Sequence, residues 1–99
     1  MTAIEFLPEA REEFLAAALF YDINAPKLGQ ELVAEVERIL AMVVEHREIG
    51  LATSHNCRRV IVRRFPFSVF YQVRDDVIYV IALAHQHRNP GYWRARVTP

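Results

Sequence analysis

Near the start of the chain the apolar positions change period. "TAIEFL" alternates, with Ile4 and Phe6 on one side, and this two-residue period predicts a short strand. Pro8 follows where a missing N–H costs nothing, so a helix is expected to open there. Ala10, Phe14, Ala17 and Tyr21 recur at helical spacing, widened by Leu15, Ala18 and Leu19. Glu9, Glu12 and Glu13 suit the positive end of that helix dipole. "DINAP" breaks the pattern, with Asn24 as the expected N-cap and Pro26 in the first turn of a second helix. Leu28, Leu32, Val36, Ile39, Leu40 and Val43 carry that helix to about His46, with Glu31, Glu35, Glu37 and Glu45 on its other sides. Two such helices joined by a few residues predict an antiparallel hairpin.

The second half returns to strand periods. Gly50 and "ATSHN" read as a loop, and "CRRVIVRR" alternates, with Val60 and Val62 opposite Cys57, Ile61 and Arg63. Phe65-Pro66 interrupts it, because proline cannot donate to a ladder. Phe67 to Val73 reads as a strand, "RDD" as a turn and Val77 to His85 as a strand apolar on both faces, which implies a central place or cover on both sides. The order is β-α-α-β-β-β. The expected fold is α+β, an antiparallel twisted sheet with the helical hairpin packed on one face. One domain over residues 1–99 is expected, with a tail from about residue 89.

Composition narrows the class. A 53% hydrophobic content argues against disorder, and the longest apolar run, Val77 to Ala84, is far too short to span a bilayer. The start "MTAIEFLPEAREEF" is acidic where a signal peptide is basic, and Cys57 is the sole cysteine, so a reducing cytoplasm is expected and no membrane partner. The net charge of zero hides a separation: residues 1–50 hold ten acidic against four basic side chains, a net of −6. Residues 51–99 hold eight arginines against Asp75 and Asp76, a net of +6. That asymmetry, carried by arginine alone, points to an anionic partner or to opposed acidic and basic faces.

Among candidate chemistries, His85-x-His87 lacks the further ligands a zinc site needs, since Cys57, His46 and His55 stand at no characteristic spacing. Ser54, Ser68 and Cys57 lack a nucleophile motif, and three glycines form no phosphate loop, so no metal or cofactor is expected. The arginines are the serious candidates. Arg63, Arg64 and Arg88 are expected to converge at one sheet end with His85, His87, Tyr92 and Trp93, a set suited to gripping or cleaving a phosphodiester.

The stretch "RRFPFSVFYQVRDDVIYVIALAHQHRNPGYW", preceded by "EHREIG", resembles the RelE/ParE superfamily of type II toxin–antitoxin toxins. It is most similar to the ParE-like branch, often labelled plasmid stabilisation proteins. Pro8-Glu9-Ala10, Arg64-Phe65-Pro66-Phe67, Tyr71, His85, Arg88, Pro90 and Trp93 carry the likeness, while Arg47 stands where many such chains have proline. The resemblance implies growth inhibition by binding DNA gyrase, without chemistry of its own, through Arg88, Tyr92, Trp93, Arg94 and Arg96. It also implies a hetero-oligomer with a cognate antitoxin whose acidic, partly disordered C-terminal segment contacts Phe14, Tyr21, Arg58, Arg59 and Arg63.

Two alternatives stay open. One is a ribosome-dependent mRNA endoribonuclease of RelE type, with Arg63, Arg64, His85, His87, Arg88 and Tyr92 as catalytic candidates. The missing lysine in "IGLATSHN" departs from that pattern. The other is an inactive toxin remnant that only binds antitoxin.

Overall fold

In the computed structural model, which describes residues 2–97, β1 (Ala3–Phe6) leads into α1 (Pro8–Asn24) and α2 (Leu28–Glu45). Then follow β2 (Leu51–Ala52), β3 (Arg58–Ile61), β4 (Phe67–Arg74), β5 (Val77–His85) and a short 3-10 turn at Arg94–Arg96. Pro8 sits in the first turn of α1, as its missing N–H allows. The hairpin joint is shifted from expectation. Asn24 is the last residue of α1, donating Nδ2 to Phe20 O at 2.7 Å, and Lys27 precedes α2 in a left-handed conformation. The capping acceptor is Asp22, whose Oδ1 takes the Gly29 N–H at 3.0 Å. A Cβ on Gly29 would run into the Ala18 carbonyl and the Asp22 carboxylate, so this glycine sets how closely the helices approach.

The five strands run in the order β1-β5-β4-β3-β2. β2 to β5 pair antiparallel, but β1 runs parallel to β5, from Ala3 beside Val77 to Phe6 beside Val80, so the sheet is mixed rather than antiparallel throughout. The cause is the long helical connection. Tight hairpins impose reversal on β2 to β5, whereas two helices carry the chain far enough to bring β1 and β5 together pointing the same way. The Leu51–Ala52 strand also lies where a loop was expected. His55 and Asn56 both have positive φ, closing β2 onto β3 in the primed geometry that hairpins favour. Asp75 and Asp76 do the same between β4 and β5.

The sheet is covered on both faces. Leu32, Val36, Ile39 and Val43 of α2 pack with Val69, Tyr71, Ile78 and Val80 on one side. On the other, Cys57, Ile81 and Ala82 pack with Trp93, so the tail is a second cover. Burial lifts the Cys57 thiol above its ordinary value, keeping it an inert packed group. Tyr71, 1% exposed, donates to Arg47 O at 2.7 Å and accepts from Gly50 N at 3.0 Å, clamping the α2–β2 connection. Arg47 reaches Thr2 Oγ1 at 3.0 Å and Asp76 Oδ1 at 2.9 Å.

Candidate functional site

Two cavities flank the end of β5. After His85 the chain folds back through short turns, with Arg88 N on His85 O at 3.0 Å, Tyr92 N on Asn89 O at 3.1 Å and Arg94 N on Gly91 O at 2.9 Å. Gly91 has φ 75, and its bare Cα lets the Arg94 guanidinium lie against it. The tail thus walls an open cleft of about 470 Å³ on the side away from the helices. Arg59 of β3, Ser68 and Phe70 of β4, and His85, Arg88, Tyr92 and Arg94 line it. Arg94 Nε donates to Ser54 Oγ at 3.1 Å, and Arg88 lies 3.9 Å from the centre of the Tyr92 ring. Trp93, 3% exposed, lies beneath with its ring 4.6 Å from that of Phe70.

The second cavity, about 380 Å³, is a groove between α1 and the edge of β5. Ala16, Ala17, Phe20 and Tyr21 face Phe67 and Leu83 across it, with Glu13, His85 and Arg88 at its polar side. His85 and Arg88 border both cavities. Beside the groove, Leu19 and Ile23 of α1 are 61% and 74% exposed. A helix apolar on nearly every side is normally buried, so α1 is short of a partner.

Between the cavities lies the most connected carboxylate among the described residues. β1 covers β5 only as far as Val80, where Leu7 N donates at 3.0 Å, and side chains complete the edge beyond. Glu13 accepts from Leu83 N at 3.1 Å, and Arg96 donates to Ile81 O at 3.0 Å. Arg96 also holds Glu13 through both oxygens, at 2.9 and 3.0 Å, and the Tyr92 hydroxyl donates to Glu13 at 2.6 Å. Burial alone would raise the Glu13 carboxyl. The hydrogen bonds from Arg96 and Tyr92, the Arg96 charge and the Leu83 N–H outweigh it and hold the group below its ordinary value. Burial, then the Glu13 hydrogen bond and charge, push the Tyr92 phenol well above its usual range, and the Glu13 bond raises Arg96 too.

Of the residues singled out from sequence, His85, Arg88, Tyr92 and Arg94 meet at the cleft, and Arg59, expected at the antitoxin surface, lines it too. Arg63 and Arg64 line neither cavity. The β3–β4 turn takes Arg64 through a positive φ of 68, and its guanidinium reaches Glu31 of α2 at 3.3 Å instead. His87 also lines neither cavity; its ring lies 5.2 Å from that of His85, and its backbone N–H donates to His85 Nδ1 at 3.0 Å. Trp93 is floor rather than contact surface, and Arg96 is committed to Glu13 with 14% of its side chain exposed. Tyr21 lines the groove, whereas Phe14 packs 5.8 Å from Phe6 and Arg58 is spent on the Glu48 and Gly50 carbonyls.

The residue missed was Glu13, read as a dipole partner. On a helical wheel it lies nearer to buried Ala10 and Ala17 than Glu9 or Glu12 does, and that was the available signal. Among the described residues no group of three or more His, Cys, Asp or Glu could hold a metal ion, and no helix is long and apolar enough to cross a membrane.

A family model described as the ParE toxin of type II toxin–antitoxin systems, parDE, matches residues 4–90. A chromosomal ParDE toxin–antitoxin structure from P. aeruginosa superposes with a TM-score of 0.71 at 17% identity, covering 86% of this chain and 96% of that one. The intact E. coli RelBE complex gives a TM-score of 0.67 at 22% identity, over 89% of this chain and 100% of the other. The isolated E. coli RelE toxin gives 0.65 at 23%, over 97% and 96%. These likenesses show a shared fold. No curated protein matches in sequence. With the family match running from the first strand through the β5 end that builds both cavities, the chain belongs to the ParE toxin family of type II toxin–antitoxin systems.

Proposed function

We propose that the chain arrests growth by gripping a large cellular target with the arginine cleft, and that its antitoxin silences it by lying in the α1 groove. DNA gyrase is the target favoured by the family likeness. The observation carrying the binding reading is the engagement of Tyr92. Its hydroxyl already serves Glu13 at 2.6 Å and its phenol holds its proton tightly, so it is a poor proton shuttle, while Arg59, Arg88 and Arg94 remain gathered around an open cleft. With Arg64 drawn to Glu31, the constellation supports recognition more than RNA cleavage.

The groove suits an amphipathic helix bearing acidic residues, whose apolar side would cover Phe20, Leu19 and Ile23 and whose carboxylates would meet Arg88. The setting we propose is the cytoplasm, where toxin and antitoxin form a hetero-oligomer. Purified chain at micromolar concentration is expected to inhibit gyrase supercoiling, and co-expression of the antitoxin is expected to restore growth. Primer extension on mRNA from expressing cells distinguishes the other mechanism. New 5′ ends with unimpaired supercoiling would replace gyrase binding by mRNA cleavage, and normal growth without antitoxin would leave only the antitoxin-binding role.

A further inference from the structure

The cleft arginines stand on a tail with little regular structure, and something must hold them. The tail from Asn89 to Val97 has only the Arg94–Arg96 turn of 3-10 helix, yet Arg88, Tyr92 and Arg94 all border the cleft. Besides the Arg94 bond to Ser54 and the Arg96 bond to Ile81 O, two attachments stand out. Trp93 seats beneath the cleft, and Tyr92 and Arg96 converge on the one carboxylate of Glu13, which reaches across from α1 past the open edge of β5. The Tyr92 ring then stacks under Arg88 at 3.9 Å and lies 5.0 Å from Arg96. A continuous path therefore runs from Glu13 through Tyr92 to Arg88, and from Glu13 through Arg96 to Arg94 two residues before it. Both donors lie beyond residue 90, where the family match ends, while Glu13 lies within it.

We propose that Glu13 is a positioning residue for the cleft, fixing Arg88 and Arg94 from the far side of the sheet edge by holding Tyr92 and Arg96. Glu13 touches no target. It sets the spacing of guanidinium groups that do, and this rests on reading the cleft as the target surface. The geometry also makes Glu13 the link between the cavities, since it lines the groove while its donor Tyr92 walls the cleft.

The test titrates inorganic pyrophosphate, a compact anionic probe for converging arginines, into the full chain by calorimetry. Glu13→Gln is expected to weaken binding by about tenfold, the effect of losing one charge-assisted hydrogen bond. Tyr92→Phe keeps the ring under Arg88, and its loss should not add to that of Glu13→Gln, because the Glu13–Tyr92 contact it removes is one that Glu13→Gln already disrupts. Melting curves on each variant separate this from general unfolding, and Tyr92→Phe carries the test should Glu13→Gln fail to fold. Wild-type affinity in a folded Glu13→Gln, additive losses, or no binding by the wild type would each overturn the proposal. Growth arrest distinguishes it from the target reading: weakened probe binding with undiminished arrest upholds the latch and removes the cleft as target surface.

Discussion

Single residues here act through what they occupy. Tyr71 was legible as a family position but not as a clamp, because its two partners, Arg47 O and Gly50 N, are backbone atoms that no side-chain pattern marks. Tyr71→Phe leaves the packing and removes both bonds, so a loss of about 1–3 kcal/mol is expected, read in urea melts. Gly29 looked like an ordinary helix residue, yet a Cβ there meets Ala18 O and Asp22. Gly29→Ala should therefore destabilise by about 1–3 kcal/mol through overpacking, against the usual gain in helix propensity. Glu13 adds a pH dependence. Its folded carboxyl lies below its ordinary value, so its stabilisation is full above the unfolded pKa and fades as pH falls through the folded one. Arg96 and Tyr92 hold it, Glu9 lies one turn away, and Arg88 and His85 share its groove. The stability difference between wild type and Glu13→Gln should thus be constant near neutrality and shrink below about pH 4. A difference that grows on acidification would contradict the assignment.

Elements were legible wherever one period dominated. The stripe Leu32, Val36, Ile39, Leu40 and Val43 gave α2 its buried side, and the strands at Phe67–Arg74 and Val77–His85 follow their apolar runs. Shorter signals failed for a physical reason. β2 has two residues, too few for any period, and exists because His55 and Asn56 accept positive φ; Asn56 was the only cue. The parallel seat of β1 depends on where the helices deliver the chain, which is not written in β1 itself. α1 shows the opposite case, in which too much apolar surface is the message. Phe20, Leu19 and Ile23 stay exposed, so Ile23→Glu with Leu19→Glu should leave thermal stability within about 0.5 kcal/mol, as for ordinary surface sites, while abolishing antitoxin pull-down. Retained pull-down would move the antitoxin elsewhere.

At the scale of the molecule, the +6 of the second half divides by destination rather than acting as one field. Arg64 and Arg96 pair with glutamates of the helices, Arg58 serves carbonyls, and Arg74 lies 4.4 Å from the Tyr79 ring. Arg59, Arg88 and Arg94 are the set that gathers at the cleft. Charge separation was visible in the sequence, but this sorting was not, because it depends on turn geometry at Arg64 and on the Glu13 latch. The central proposal follows from the sorting: the grip proposed for this toxin would reside in the cleft arginines and not in the pair that opens the "RRFPF" motif. Growth arrest on induced expression tests it most directly, comparing Arg59→Ala/Arg88→Ala/Arg94→Ala with Arg63→Ala/Arg64→Ala at equal soluble yield. The account predicts that the triple variant no longer arrests growth and that the double variant arrests it as the wild type does. Arrest by the triple variant, or its loss in the double, would contradict it.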